Sequence, residues 1–295
     1  MTKTEFQNLT KHTVLLDGAT GSNLLARGMP RGLPTERWVL QHPEVLTELQ
    51  RAYVEAGSQI VYTPTFGANR RAMSLSGIAE EIGDFNRRLV EITRRAVEGR
   101  ALVAGDLTTS GQVPDASEEY TYADALELYK EQISCLAAAG VDLLVAETMM
   151  SVDEAMAAVE AAGQVCDLPI LCCLTVEADG NAFSGGHASD AAAALEALGA
   201  DAVGINCSVG PDQLEAVVAG IRRAVRIPVI AKPNAGMPVI TERGEVLYTM
   251  GPEEFAGHME PLMAAGAALV GGCCGTTPAY IRCLRERIRA MEERI

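Results

Sequence analysis

At 295 residues, 48% of them hydrophobic, the chain can bury a full core, which argues against general disorder. A net charge of -15 argues against nucleic acid or an anionic membrane as partner, since both attract a basic face. The opening residues, MTKTEFQNLTKH, have no apolar signal-like core, and no run of about 18 apolar residues reads as a membrane span, so a cytoplasmic location with reduced cysteines is expected.

In chain order, eight short apolar runs are expected to form strands: 14–17, 60–65, 102–107, 143–147, 170–175, 202–207, 229–233 and 268–272. Helical patterns separate them. Ile82, Phe85, Leu89, Ile92 and Ala96 follow three-four spacing, as do Leu126, Tyr129, Ile133 and Leu136. The stretches 153–165, 190–198, 212–225 and 252–265 also read as helices, with Asp or Pro in the first turn. Before four of the strands the pattern repeats: a helix ends near a glycine (Gly57, Gly140, Gly199, Gly266) and an apolar run follows. Eight strand-then-helix units predict an α/β fold, a single (β/α)8 TIM barrel, with an open doubly wound sheet as the runner-up. No composition shift or long linker divides the chain, so residues 1–295 are expected to be one domain.

Three connections exceed what a barrel needs: 18–42, 108–122 and 235–251. The last reads as a hairpin, Pro238–Thr241 and Glu245–Tyr248 around Arg243 and Gly244. All three follow strands, so they fall on the C-terminal face, where barrel active sites sit.

The strand ends are polar, and one carries two adjacent cysteines in Gly271-Gly272-Cys273-Cys274-Gly275-Thr276-Thr277-Pro278. Cys207, at the end of strand six, opens on the same face. Three thiolates converging there would leave one position vacant on a tetrahedral metal, the pattern of a catalytic rather than a closed structural site. A second reading makes all three small residues in tight turns. Cys135, Cys166, Cys172, Cys173 and Cys283 lie in apolar patterns and read as packing residues. The chemistry that suits the metal reading is activation of a substrate thiol, whose free pKa of about 8.5 leaves it mostly protonated at neutral pH. His187 reads as a surface-loop residue. Trp38, the one tryptophan, could cover a substrate or pack its loop, and Arg282, Arg285, Arg287 and Arg289 read as a solvated helix face.

The segments DGATGS, TFGAN, AETM, GINC, KPNAG and GGCCGTTP together resemble the homocysteine S-methyltransferase family, over roughly Leu15 to Arg289. The resemblance implies a (β/α)8 barrel with Zn2+ held by Cys207, Cys273 and Cys274, and an open position for the sulfur of homocysteine. It implies that Asp17 and Glu147 bind the amino-acid end. Physical chemistry agrees: carboxylates suit an ammonium, and the N–H groups of a turn through Gly18, Ala19 and Thr20 suit a carboxylate. Asn234, by position, contacts or orders the metal region or serves as a turn residue. The nucleophile is then the metal-held substrate thiolate, with no separate protein nucleophile. Gly275 and KPNAG are most similar to the N-terminal module of cobalamin-dependent methionine synthase, which implies methylcobalamin on a separate corrinoid protein as donor. No Asp-x-His-x-x-Gly corrinoid segment is present, and no length remains for a cobalamin or folate domain. S-methylmethionine, a betaine or S-adenosylmethionine are the other donors in the family, and another small thiol is the other acceptor. One departure is Pro64, where that module has asparagine. Outside the resemblance stand two alternatives: a phosphate-binding barrel enzyme with incidental cysteines, and a non-catalytic thiol- or zinc-binding partner protein.

Overall fold

The structure is a computed structural model that describes residues 1–110, 120–183, 185–241 and 246–293. In chain order its elements are α1 (Lys3–Leu9), β1 (Val14–Leu15), α2 (Gly21–Ala26), α3 (Thr35–Gln41), α4 (Pro43–Ala56), β2 (Ile60–Tyr62), α5 (Arg70–Leu75) and α6 (Ile82–Val97). There follow β3 (Leu102–Leu107), α7 (Tyr122–Ala138), β4 (Leu143–Met149), α8 (Val152–Val165), β5 (Ile170–Leu174), α9 (Ala188–Ala197) and β6 (Ala202–Cys207). The chain closes with α10 (Glu215–Ala224), β7 (Val229–Pro233), β8 (Pro238–Ile240), β9 (Val246–Tyr248), α11 (Pro252–Ala264), β10 (Ala267–Val270) and α12 (Pro278–Glu292).

Eight parallel strands form one sheet in the order β1-β10-β7-β6-β5-β4-β3-β2. A parallel bridge between Leu16 and Ile60 brings the two outer strands together. Gln59 N–H, donating to the Leu15 carbonyl at 2.7 Å, supports the same seam. The sheet therefore closes on itself as a (β/α)8 barrel, and the open doubly wound alternative is set aside.

The helices bury the faces their periodicity predicts. Ile82, Phe85, Leu89, Ile92 and Ala96 of α6 are all buried, as are Tyr129, Ile133 and Leu136 of α7. The four repeated glycines take left-handed φ angles of 118°, 81°, 101° and 111° at the ends of α4, α7, α9 and α11. At that angle a Cβ would crowd the backbone, which is why the same residue recurs there.

Four strands stop short of the expected ends. β1 ends at Leu15, β2 at Tyr62, β5 at Leu174 and β10 at Val270, although Thr63 N–H and Gly271 N–H still donate to the neighbouring strands, to the Ala104 and Ala231 carbonyls. Gly272 N–H donates to the Asp17 carbonyl at 3.1 Å, and Asp106 N–H donates to the Thr63 and Thr65 hydroxyls at 3.0 and 3.2 Å. The long connection after β1 contains α2 and α3. Trp38 is buried there, its ring 4.7 Å from that of His42, so it packs the loop. His187 caps α9, accepting from Ser189 N–H at 3.2 Å. The strands β8 and β9 pair antiparallel as expected for the hairpin. The turn at Arg243 and Gly244, most of the 108–122 connection and Ser184 lie outside the described residues. Among the described residues no helix is long and apolar enough to cross a membrane.

Side chains inside the barrel follow the period-two alternation of its strands. Val14, Leu16, Ile60, Tyr62, Ala104, Leu143, Val145, Leu171, Cys173, Ala202, Ile230 and Leu269 form one apolar cluster, closed below by Phe6 of α1. Two residues further along their strands come Asp106, Glu147 and Lys232. The same inward register that packs the lower barrel thus delivers charged groups to its upper end.

Candidate metal and substrate site

The cysteines are held by turns that the barrel ends force together. Cys207 and Ser208 both adopt left-handed backbones, with φ of 60° and 62°, and Thr148 on β4, two strands away, has φ of 57°. Such conformations cost non-glycine residues about 1–2 kcal/mol each, so the surroundings must hold them. Asn206 accepts from Thr148 N–H at 2.7 Å and donates to its hydroxyl at 2.8 Å. Ser208 accepts from Val176 N–H at 2.9 Å, and the Asn234 amide donates to the Ser208 carbonyl at 2.9 Å.

The double-cysteine turn is anchored on both sides. Cys273 N–H donates to the Pro233 carbonyl at 2.7 Å, and Ala235 N–H to the Cys274 carbonyl at 2.9 Å. Ala19 N–H donates to the Thr276 hydroxyl at 3.1 Å, which donates on to the Cys273 carbonyl at 2.7 Å. Gly275 has φ of 83°, and a side chain there would run into the Tyr248 ring. Only glycine fits both constraints.

The three sulfurs lie within 4.8 Å of one another, with Cys207 and Cys274 4.0 Å apart. Tetrahedral metal–thiolate bonds of about 2.3 Å put sulfurs about 3.8 Å apart, so the set needs little movement to hold one soft divalent cation. The thiols are unequal. Cys274 is pulled down to about 3 by hydrogen bonds from Cys207 and then Cys273. Cys273 stands at about 11: Cys207 lowers it, but Cys274 and burial raise it more. Cys207 is raised strongly, because its proton is shared with Cys273 and Cys274. Without a cation the cluster favours a single thiolate, and a bound cation would favour the other two.

These sulfurs line a cavity of about 290 Å³ whose walls also include Asp17, Gly18, Ala19, Thr20, Pro64, Phe66, Asp106, Glu147 and Lys232. Lys232 is buried with its ammonium 3.3 Å from Asp17 Oδ1 and 3.6 Å from Glu147 Oε2. It also sits 4.6 Å from the centre of the Tyr62 ring. Burial raises Asp17 above the usual carboxylate range, against the pull of Lys232. Burial likewise lifts Glu147 to about 7, with Lys232 opposing. Lys232 stays protonated, since Glu147 and Asp17 outweigh its own burial. Glu36, also at the cavity, accepts from Gly67 N–H and braces the TFGAN turn.

Of the residues expected to hold the metal or the acceptor, all but Asn234 line this cavity. The Asn234 amide NH2 supports the Cys207–Ser208 turn, and its Oδ1 is buried without a hydrogen-bond partner among the described residues. The turn after β1 is also more committed than expected: Ala19 N–H goes to Thr276, leaving the N–H groups of Gly18 and Thr20 without an acceptor among the described residues. Lys232 and Asp106 were not singled out as site residues. The signal for both was present as a charged residue at an inward position, in Ile230-x-Lys232 and Ala104-x-Asp106.

With this geometry in hand, known proteins offer a comparison. The chain is 32% identical over 292 residues to the methionine synthase of Mycobacterium tuberculosis, covering 93% of this chain and 24% of that protein. It therefore spans about a quarter of the length of that relative. It is 26% identical over 308 residues to homocysteine S-methyltransferase 4 of Zea mays, covering 94% of this chain and 90% of the other. Among solved structures, the metallated form of the homocysteine methyltransferase MmuM from Escherichia coli matches with a TM-score of 0.81 and 25% identity, over 97% of this chain and 99% of that one. Residues 14–288 match the sequence profile of homocysteine S-methyltransferases, and on that match the chain belongs to the homocysteine S-methyltransferase family.

Proposed function

We propose that the chain is a single barrel domain, residues 1–295, acting as a zinc-dependent S-methyltransferase that converts homocysteine to methionine in the cytoplasm. The observation that carries this reading is the convergence of three thiols within 4.8 Å on a cavity that also holds buried carboxylates. Cys207, Cys273 and Cys274 are the residues that would hold the ion. When bound there, Zn2+ supplies an open coordination position and favours the thiolate form of the acceptor, whose free pKa is about 8.5.

The remaining work falls to the chain itself. Asp17 and Glu147 orient the acceptor's ammonium, and the free N–H groups of Gly18 and Thr20 receive its carboxylate. Ala19 shapes the turn rather than donating. Asn234 and Asn206 hold the strained backbone at Cys207, so that this sulfur does not have to be ordered when the site loads. Pro64 and Phe66 close one wall of the cavity, where they limit water around the attacking sulfur.

As methyl donor we favour a separate methyl-corrinoid protein. Similarity to a methionine synthase over 93% of this chain supports it. So does an apolar fringe on loops that follow β2, β4, β5 and β7: Phe66, Met150, Phe183 and Met237 are 38%, 51%, 58% and 50% exposed. Exposed apolar groups on several loops suit contact with a macromolecule. A small-molecule donor, S-methylmethionine or a betaine, is the second reading. The match over 99% of the Escherichia coli homocysteine methyltransferase chain favours it.

The test is a matrix of acceptors and donors with purified, reduced protein of measured metal content. Homocysteine and other small thiols are set against methylcobalamin, S-methylmethionine and betaine. Stoichiometric zinc with methionine formed from homocysteine and methylcobalamin is expected. Protein without stoichiometric metal would sink the zinc reading, and turnover with betaine alone would overturn the corrinoid preference.

A further inference from the structure

Lys232 changes how the carboxylates of the cavity must be counted. Asp17 and Glu147 already share this resident cation. Asp17 also accepts from Tyr62 N–H at 2.9 Å, Glu147 accepts from the Asn206 amide at 3.3 Å, and Glu36 is held by Gly67 N–H. Asp17 Oδ1 also lacks a hydrogen bond, but it lies 3.3 Å from the Lys232 ammonium, whereas the Asp106 side chain has neither an ion pair nor a hydrogen bond among the described residues. Asp106 is only 5% exposed and lines the cavity, yet its Oδ1 is buried without a hydrogen-bond partner.

The backbone at Asp106 is held in place. Its N–H donates to the hydroxyls of Thr63 and Thr65, and its carbonyl accepts from Thr65 at 2.8 Å. It sits on β3, paired with β4 in a register that sets Asp106 beside Val145, two residues before Glu147. Burial first, and then the nearby Glu147 charge, raise Asp106 well above the usual carboxylate range, with Lys232 as its main relief. A buried carboxylate in that state lacks a positive partner. The cavity offers one lysine against Asp17, Asp106 and Glu147, so a ligand that brings a cation corrects the imbalance.

We propose that Asp106 is a specificity-determining residue, receiving the α-ammonium group of an amino-acid thiol together with Asp17 and Glu147. This rests on the methyltransferase reading above and adds to it the group that separates an amino-acid thiol from a plain mercapto acid. Lys232 acts as a positioning residue, holding Asp17 and Glu147 so that the ammonium meets three oxygens from three strand ends.

The experiment compares metal-loaded wild type with Asp106→Asn by calorimetric titration. The probes are homocysteine and 4-mercaptobutyrate, which has the same thiol and carboxylate but no amine. Wild type is expected to prefer homocysteine. Asp106→Asn is expected to lose about 10- to 100-fold in affinity for homocysteine, the range for one charged hydrogen bond, while 4-mercaptobutyrate changes by less than about twofold. Metal content should match wild type. The melting temperature should not fall, because the substitution replaces a buried carboxyl whose Oδ1 has no hydrogen-bond partner. If Asp106→Asn binds homocysteine as wild type does, or if wild type does not distinguish the two thiols, the assignment is overturned. Wild type that binds neither thiol overturns the methyltransferase reading itself. Asp106→Ala provides a second variant and should lose discrimination in the same way.

Discussion

The two ends of the barrel interior are built from the same strands in the same register, and they behave oppositely. At the lower end, Val14, Leu16, Leu143, Val145, Ala202, Ile230 and Leu269 pack on Phe6 with no polar side chain among them. At the upper end, the continuation of those strands carries Asp106, Glu147, Lys232 and the cysteines, with three non-glycine residues in left-handed backbone conformations. The difference teaches where a barrel can place chemistry. Regular strand pairing fixes the lower half so firmly that the upper half can hold unpaired charge and strained turns without unfolding.

Substituting one residue at each end breaks the comparison most sharply. Cys273→Ser should abolish stoichiometric metal and methyl transfer while leaving the melting temperature of metal-free protein near that of wild type. Phe6→Ala should do the reverse, costing about 3–5 kcal/mol of stability with metal still bound. Denaturant titration with metal analysis reads both, and equal losses of stability in the two variants would contradict the division.

A smaller effect is expected at the join between the halves. Asn206 touches no substrate atom in this reading but secures Thr148 and the approach to Cys207. Asn206→Ala should weaken metal affinity by about 10- to 100-fold, as losses of supporting hydrogen bonds around a metal site do. Chelator competition measures it, and unchanged affinity would mean that the backbone at Cys207 needs no support.

The smallest effect is a slope with pH. Glu147 is raised from 4.5 to about 7, chiefly by burial. Between those values the folded chain keeps a proton that the unfolded chain has lost. This contribution is therefore present below the unfolded value and is lost as pH rises through the folded one. Metal-free wild type should lose thermal stability between pH 5 and 7 by this route, and Glu147→Gln should flatten the profile. A profile equally steep in both proteins would remove Glu147 as its source.

Much of this arrangement was legible in the sequence. Apolar runs between helical patterns gave the barrel, because strands buried on both faces leave continuous apolar stretches. The cysteines and Asp17 stood out because glycines surround them at turns. Lys232 and Asp106 did not, because a charge at the edge of an apolar run reads as the end of a strand rather than as its inward face. Helix α1 was missed since it is short and buries only Phe6. The bond from Asn234 to the Ser208 carbonyl is a side-chain contact across two strand ends, which spacing along the chain does not encode.

Gly275 also constrains how this site can change over time. The absent side chain lets Tyr248, from a separate hairpin, rest against the cysteine turn. Any larger residue at that position meets the tyrosine first, so the hairpin has to move or shorten before the glycine can be replaced. The order of the two mutations is therefore not free: one neighbouring loop holds a veto over the sequence of the metal turn, and the two loops must evolve as a pair.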